Sequence, residues 1–103
     1  MHTLKQLQSG GLAGITHLKI SENLTEFPEE ILDLAASLEI LDLSQNRLSQ
    51  LPDSFSRLRN LKILFLSDND FTEMPAVLGT LPALEMLGFK ANKIASVPPA
   101  SLP

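Results

Sequence analysis

A block of nine residues recurs along this chain at a constant spacing of 23 residues, and this period constrains the fold more than any other feature. The four copies begin at Ile15, Leu38, Leu61 and Leu84. Apolar residues fill the first, fourth and sixth positions of each copy, and asparagine fills the ninth. A constant period indicates that one structural unit is stacked several times, so the sequence predicts a repeat architecture.

Each unit combines two hydrophobic patterns. In residues 40–44, Leu41 and Leu43 alternate with their neighbours, which is the period of a half-buried strand. Later in the unit, apolar residues recur at i and i+3, as in Phe55 and Leu58, after a proline whose fixed φ suits the start of a short helical segment. A strand this short is not stable alone. The sequence therefore predicts an α/β solenoid, with parallel strands on the concave face and short helical or 3-10 returns on the convex face.

Two further sets of apolar residues are predicted to face inward after each strand. The first set is Leu24, Leu48, Phe71 and Ile94. The second set precedes the prolines and consists of Phe27, Leu51, Met74 and Val97.

The recurring asparagines are predicted to form a structural ladder. They are Asn23, Asn46, Asn69 and Asn92. Each stands where the chain turns away from a strand, and an amide side chain there can both donate to and accept from buried backbone groups. The first unit has one residue fewer between its asparagine and its proline than the second unit has, so we expect a tighter turn there.

The pattern L-x-x-L-x-L-x-x-N, followed by the L-P pair, resembles the leucine-rich-repeat family over residues 15–98. The 23-residue L-P units are also similar to the N-terminal region of bacterial leucine-rich-repeat proteins that continue into a protein-kinase-like domain. That second resemblance implies phosphotransfer outside this chain. Within the chain there is no Gly-rich phosphate loop, no V-A-I-K lysine and no H-R-D segment.

The domain boundaries follow from the repeat register. Residues 1–14 are predicted to form an N-terminal helical cap, because Thr3 and Gln6 have capping-box spacing and glycines follow at 10 and 11. The repeats are assigned to residues 15–37, 38–60, 61–83 and 84–103, the last being incomplete. No polar helix closes the last unit, so we expect either a further repeat in a longer protein or another chain over this end.

Composition argues against several functional classes. The net charge is −4 and the basic residues are scattered, which is unlike a nucleic-acid-binding face. There is no cysteine, no secretory signal and no apolar run long enough for a membrane span, so we expect a cytoplasmic protein. The two histidines, His2 in a terminus expected to be mobile and His17 on the first strand, do not have metal-ligand spacing.

No catalytic, cofactor or metal site is predicted. Serines at positions 21, 44 and 67 recur because they share one repeat position, and no base accompanies them. We therefore expect that this chain is not an enzyme.

The predicted functional site is the concave face, where the side chains beside the buried leucines point outward. Its partner-binding residues are predicted to be Ile40, Asp42, Ile63, Phe65, Met86 and Lys90. Such an apolar patch with a charged rim is typical of a protein interface. The alternative is that Ile40, Ile63 and Met86 serve only strand propensity and lateral packing. We expect Gly88, in the row of Phe65, to leave room for a partner's side chain.

Three functional hypotheses remain open from the sequence. The first is a protein-interaction module, such as a signalling scaffold, that binds a protein partner through its concave face. The second is the recognition arm of a larger bacterial serine/threonine kinase-like enzyme. The third is self-association through the uncapped C-terminal end.

Overall fold

A computed structural model of the chain describes residues 1–94 and shows one parallel sheet whose strands follow each other in chain order. Within residues 1–94, one α-helix, α1, spans Leu4–Gln8. The strands are β1 (His17–Lys19), β2 (Ile40–Asp42), β3 (Ile63–Phe65) and β4 (Met86–Gly88). Between them run 3-10 helices at Glu29–Leu34, Asp53–Arg57 and Ala76–Thr80. This alternation confirms the predicted α/β solenoid. Among residues 1–94, no helix is both long and apolar enough to cross a bilayer.

The 23-residue period is the register of the sheet. Leu18 pairs with Leu41, Leu41 with Leu64, and Leu64 with Leu87. Every strand therefore places the same repeat position beside its neighbour, and residues on either side of the paired leucine point to the opposite face. Each strand has three residues, so the sheet owes its stability to stacking of whole units rather than to any single strand.

The core lies between the strands and the 3-10 helices. The inward leucines Leu41, Leu43 and Leu66 are all 0% exposed. The convex residues Phe55 and Leu58 are also 0% exposed, and Phe55 packs edge-to-face against Phe27 with ring centroids 5.2 Å apart. Aromatic and leucine burial, rather than helix propensity, thus holds these short returns against the sheet.

A proline stands directly before each 3-10 helix. Pro28, Pro52 and Pro75 have φ values of −68°, −71° and −61°. The ring restricts φ to this region and removes a backbone N–H at a position where a helical turn leaves it unpaired. The L-P pair of the sequence therefore marks where each convex return begins.

The N-terminal segment covers the open side of the first repeat. The hydroxyl of Thr3 accepts from the Gln6 N–H at 3.1 Å, and the Gln6 side chain accepts from the Thr3 N–H at 2.9 Å. This reciprocal capping box starts α1, and Gly10, with φ +79°, follows its end. Leu7 and Leu12 are buried in the common core.

Asn46 joins the first repeat to the second. Its amide donates to the carbonyl of Leu43 at 2.8 Å in its own repeat and to that of Ile20 at 2.9 Å in the preceding one. Its side-chain oxygen accepts from the N–H groups of Glu22 and Leu24, both at 3.0 Å. Asn46 is 6% exposed, so these bonds satisfy backbone groups that water does not reach.

Asn69 and Asn92 repeat this arrangement one and two units later. Asn69 donates to Leu43 and Leu66, and its oxygen accepts from the Leu48 N–H at 2.9 Å. Asn92 donates to Leu66 and Phe89, and its oxygen accepts from the Phe71 N–H at 3.1 Å. Each asparagine therefore binds both its own repeat and the one before it.

Asn23 does not occupy the ladder position that the sequence predicted for it. It is exposed and has φ +55°, a left-handed conformation that Gln45, Asp68 and Ala91 adopt one position before the other asparagines. The Leu24 carbonyl accepts from the Arg47 N–H, and the Leu48 carbonyl accepts from the Asp70 N–H, so Leu24 and Leu48 occupy equivalent positions. The residue that the first unit lacks is therefore missing before Leu24. The shortened loop uses its asparagine for the left-handed turn, which asparagine tolerates better than most residues.

Met74 and Ile94 also depart from the inward-facing prediction. Met74 is 50% exposed and Ile94 is 41% exposed, whereas Phe27, at the position equivalent to Met74, is 7% exposed. Phe27 is covered by Phe55 of the following unit. Val97, the corresponding residue in the unit after Met74, lies outside the described residues.

Replacing asparagine by glycine should separate the ladder from the left-handed turn. Asn46→Gly removes an amide with several buried partners and leaves their polar atoms unpaired, so we expect a loss of about 1–3 kcal/mol in the free energy of unfolding. Asn23→Gly should change the free energy of unfolding by no more than about 0.5 kcal/mol, because glycine adopts a positive φ readily. Urea denaturation followed by circular dichroism measures both. Equal losses at the two positions would contradict this assignment.

Candidate functional site: the concave face

The outward positions of the four strands form two adjacent rows on the concave face. The first row contains His17, Ile40, Ile63 and Met86. The second row contains Lys19, Asp42, Phe65 and Gly88. Neighbouring members of a row stand on hydrogen-bonded strands, which are about 4.8 Å apart. A single bound segment can therefore contact several repeats at once.

The structure brings the predicted apolar residues together. Ile40, Ile63 and Met86 lie side by side in the first row, and Phe65 stands on the same strand as Ile63, two residues further on. Met86 is 54% exposed, while the other three side chains are half-buried by their neighbours. The patch is continuous and accessible, which are the properties that contact with a partner requires.

Gly88 does not leave room for a partner's side chain, contrary to the expectation from sequence. A Cβ atom at Gly88 would lie 2.8 Å from Cδ1 of Phe65, so the ring already occupies this space. The ring of Phe65 therefore packs across the sheet on the backbone of β4. This contact explains how an aromatic side chain is held at a partly exposed position, and it fixes the ring's orientation.

Asp42, a predicted partner-binding residue, is already engaged within the chain. Its carboxylate accepts from the Ser44 N–H at 2.9 Å and lies 3.9 Å from the ammonium group of Lys19. The Lys19 side chain is 49% exposed, so the ion pair contributes little stability. Asp42 thus borders the apolar patch as part of a cross-strand pair rather than as a free anion.

Lys90 lies at the end of the patch rather than within it. It follows β4, its N–H donates to the Ser67 hydroxyl at 3.2 Å, and its side chain is exposed. On the other side of the rows, Lys62 and Glu39 form an exposed pair at 3.7 Å. Charged groups therefore flank the apolar rows on both sides.

The recurring serines take part in backbone structure. The hydroxyl of Ser21 donates to the Gln45 carbonyl at 2.9 Å, and that of Ser67 accepts from Lys90. These bonds link consecutive repeats at the ends of the strands. Their regular spacing therefore reflects the repeat. Within residues 1–94, no group of three or more histidine, aspartate or glutamate side chains is arranged to hold a metal ion.

His2 is held against β1, although its position near the start of the sequence predicted mobility. Its N–H donates to the Lys19 carbonyl at 2.8 Å, and its ring nitrogen Nδ1 accepts from the Lys19 N–H at 3.2 Å. This role has no signal in the sequence, because a single histidine near the terminus belongs to no periodic pattern. Only its position opposite the first strand reveals it.

A groove of about 730 Å³ lies beside the first repeat, away from the concave rows. Its floor includes Leu24 and Phe27, and five carboxylates surround it: Glu22, Glu26, Glu29, Glu30 and Asp33. None of these carboxylates forms an ion pair with another described residue. The negative charge of the chain is therefore concentrated at this end, which disfavours a polyanionic ligand there.

Comparison with known proteins places this geometry in a family. The family model for a leucine-rich repeat region matches residues 2–98. A leucine-rich-repeat protein of Leptospira interrogans, known from its solved structure, is 31% identical and has a TM-score of 0.73. The alignment covers 84% of this chain and 22% of that protein, so the chain spans about a fifth of its relative's length. None of the curated proteins compared with the chain matches it.

The chain belongs to the leucine-rich-repeat family. Its fold is that of a repeat module of the kind that commonly mediates protein interactions, and such modules are typically non-catalytic. The 23-residue register found from the sequence is that of the observed strands, which begin at His17, Ile40, Ile63 and Met86.

The contact between Phe65 and Gly88 can be tested by a double-mutant cycle. Gly88→Ala should displace the Phe65 ring and lower the free energy of unfolding by about 1 kcal/mol, after the gain from removing glycine flexibility is counted. In a Phe65→Ala background the same change meets no ring, and we expect it to be neutral or stabilising. Urea denaturation of the four proteins gives the coupling energy. Equal effects of Gly88→Ala in both backgrounds would show that the ring does not pack there.

Proposed function

We propose that this chain is a protein-interaction module that binds a protein partner through its concave face. The observation that carries the proposal is the continuous row of Ile40, Ile63 and Met86, which the sheet register sets beside Phe65. Met86 remains 54% exposed, so a substantial apolar area is accessible without any rearrangement. An apolar centre with charged residues around it has the composition of an interface core and rim.

Phe65 is the proposed anchor of this interface. Its ring rests on Gly88, so its orientation is set before a partner arrives. An aromatic side chain that is already ordered loses little conformational entropy on binding, and such residues carry much of the energy of protein interfaces. Asp42 and Lys90 lie at the border of the patch, where charges influence orientation and association rate more than affinity.

We further propose that the chain has no catalytic function of its own. The hydroxyl groups of Ser21 and Ser67 make hydrogen bonds between repeats, so these serines have a structural role that accounts for their spacing. Membership of the leucine-rich-repeat family, whose repeat modules are typically non-catalytic, supports this proposal.

The alternative proposal is that the module is the recognition arm of a larger bacterial serine/threonine kinase-like protein. Its support is the resemblance of the L-P repeats, together with the fact that the Leptospira protein is far longer than the matched region. The sequence of the gene beyond Pro103 tests it. A kinase signature downstream would support this alternative over a free-standing module.

Self-association through the C-terminal end is tested by light scattering at high protein concentration.

A cytoplasmic location is also a proposal. It rests on the absence of cysteine from the sequence, because small repeat domains in oxidising compartments are commonly stabilised by disulfides. Fractionation of cells that express a tagged protein from its own gene measures the location.

Phe65→Glu should abolish partner binding without unfolding the protein. A carboxylate at the centre of the patch would be buried without a counter-ion on binding, which costs several kcal/mol. Pull-down from a lysate of the source organism, followed by mass spectrometry, compares the proteins retained by the two forms. Circular dichroism checks that the fold is intact.

Met74→Glu is the matched control, because Met74 is 50% exposed and does not belong to either concave row. We expect this variant to retain the same proteins as the unmodified chain. If Phe65→Glu retains them too, the concave patch is structural and the proposed site is wrong. If Met74→Glu loses them as well, the effect is a general consequence of added charge.

A further inference from the structure

His2 pairs with Lys19 at the free edge of the sheet. On either side of β1, the Ile20 N–H donates to the Asp42 carbonyl and the Thr16 carbonyl accepts from the Ile40 N–H, so these residues face β2. Lys19, one position from Ile20, has its N–H and carbonyl directed to the opposite edge. Both groups are paired with His2: the His2 N–H donates to the Lys19 carbonyl at 2.8 Å, and the Lys19 N–H donates to His2 Nδ1 at 3.2 Å. These two bonds are called the His2 contact below.

An imidazole nitrogen replaces a backbone carbonyl in the His2 contact. A ring nitrogen accepts a hydrogen bond only when it carries no proton, so the contact requires a neutral imidazole with its hydrogen on Nε2. Protonation adds a hydrogen to Nδ1. Two donors, Nδ1–H and the Lys19 N–H, would then face each other at a distance that now holds a hydrogen bond.

We propose that His2 is a proton-sensitive closure of the β1 edge, which pairs with Lys19 when neutral and separates from it when protonated. Histidine is the side chain whose charge ordinarily changes between about pH 5 and 8. Separation of the ring leaves the Lys19 N–H unpaired at the sheet edge. An unpaired edge is a template on which another strand can pair.

Charged groups of both signs surround the contact. Lys19 lies on β1, and its ammonium group is 3.9 Å from the Asp42 carboxylate on β2. The amino group of Met1 is next to His2 in sequence. Glu22 accepts from the Leu4 N–H at the start of α1, where Lys5 is also exposed, and His17 lies two residues before Lys19. These groups do not change the donor-to-donor conflict that follows protonation, because it arises from the ring nitrogen itself.

The experiment is NMR on the full chain between about pH 8 and pH 5. At the upper pH, the ring nitrogens of His2 should show the Nε2–H form with Nδ1 unprotonated. Hydrogen exchange then gives the protection factor of the Lys19 amide. This factor is corrected for the intrinsic effect of pH on the exchange rate. We expect this factor to fall about tenfold at the lower pH, which corresponds to the loss of roughly one hydrogen bond. The Leu43 amide, which donates to Phe65 within the sheet, should keep its protection.

Two histidine variants provide the decisive comparison. In His2→Asn, the amide oxygen can accept from Lys19 at every pH, so protection of Lys19 should no longer depend on pH. His17→Asn removes the other histidine and should retain the pH dependence of the unmodified chain. The proposal is overturned if Lys19 is equally protected at both pH values in the unmodified chain. It is also overturned if the pH dependence survives in His2→Asn or disappears in His17→Asn.

Discussion

The hydrogen bonding of one asparagine in each of the second, third and fourth repeats is the interaction on which this structure depends. Where the chain turns away from each strand, buried backbone N–H and carbonyl groups need partners that the sheet does not provide. Asn46 and Asn69 supply both donors and acceptors at that point, and each reaches into the preceding repeat. Leucine burial contributes the larger share of the stabilising free energy, but leucines alone do not determine where the loop must run.

The fold was predictable from sequence to the level of register. Because side-chain direction alternates along a strand, the period of 23 residues and the pairs Leu41–Leu43 and Leu64–Leu66 together determined which residues are buried and which are neighbours. The outward row of the candidate site followed from the same alternation. A repeated pattern is strong evidence because each copy tests the others, and here the copies agree in the strand, the asparagine and the proline.

The exceptions are positions where one copy differs physically from the rest. Asn23 carries the right residue type, but a shortened loop gives it a left-handed backbone instead of a buried amide. The packing of Phe65 on Gly88 depends on a glycine found in only one strand, and the role of His2 depends on the sheet having an edge. None of these follows from periodicity, because periodicity describes what the repeats share. The distinctive contacts of this protein lie where they differ.

The asparagine ladder points in one direction along the chain. The loop after β1 is completed by Asn46 and the loop after β2 by Asn69, so each unit is finished by a residue made after it. During synthesis, a repeat that has left the ribosome keeps unpaired loop groups until the next asparagine emerges. Each new unit therefore supplies the hydrogen bonds that complete the loop of the unit already in place, in addition to those within itself.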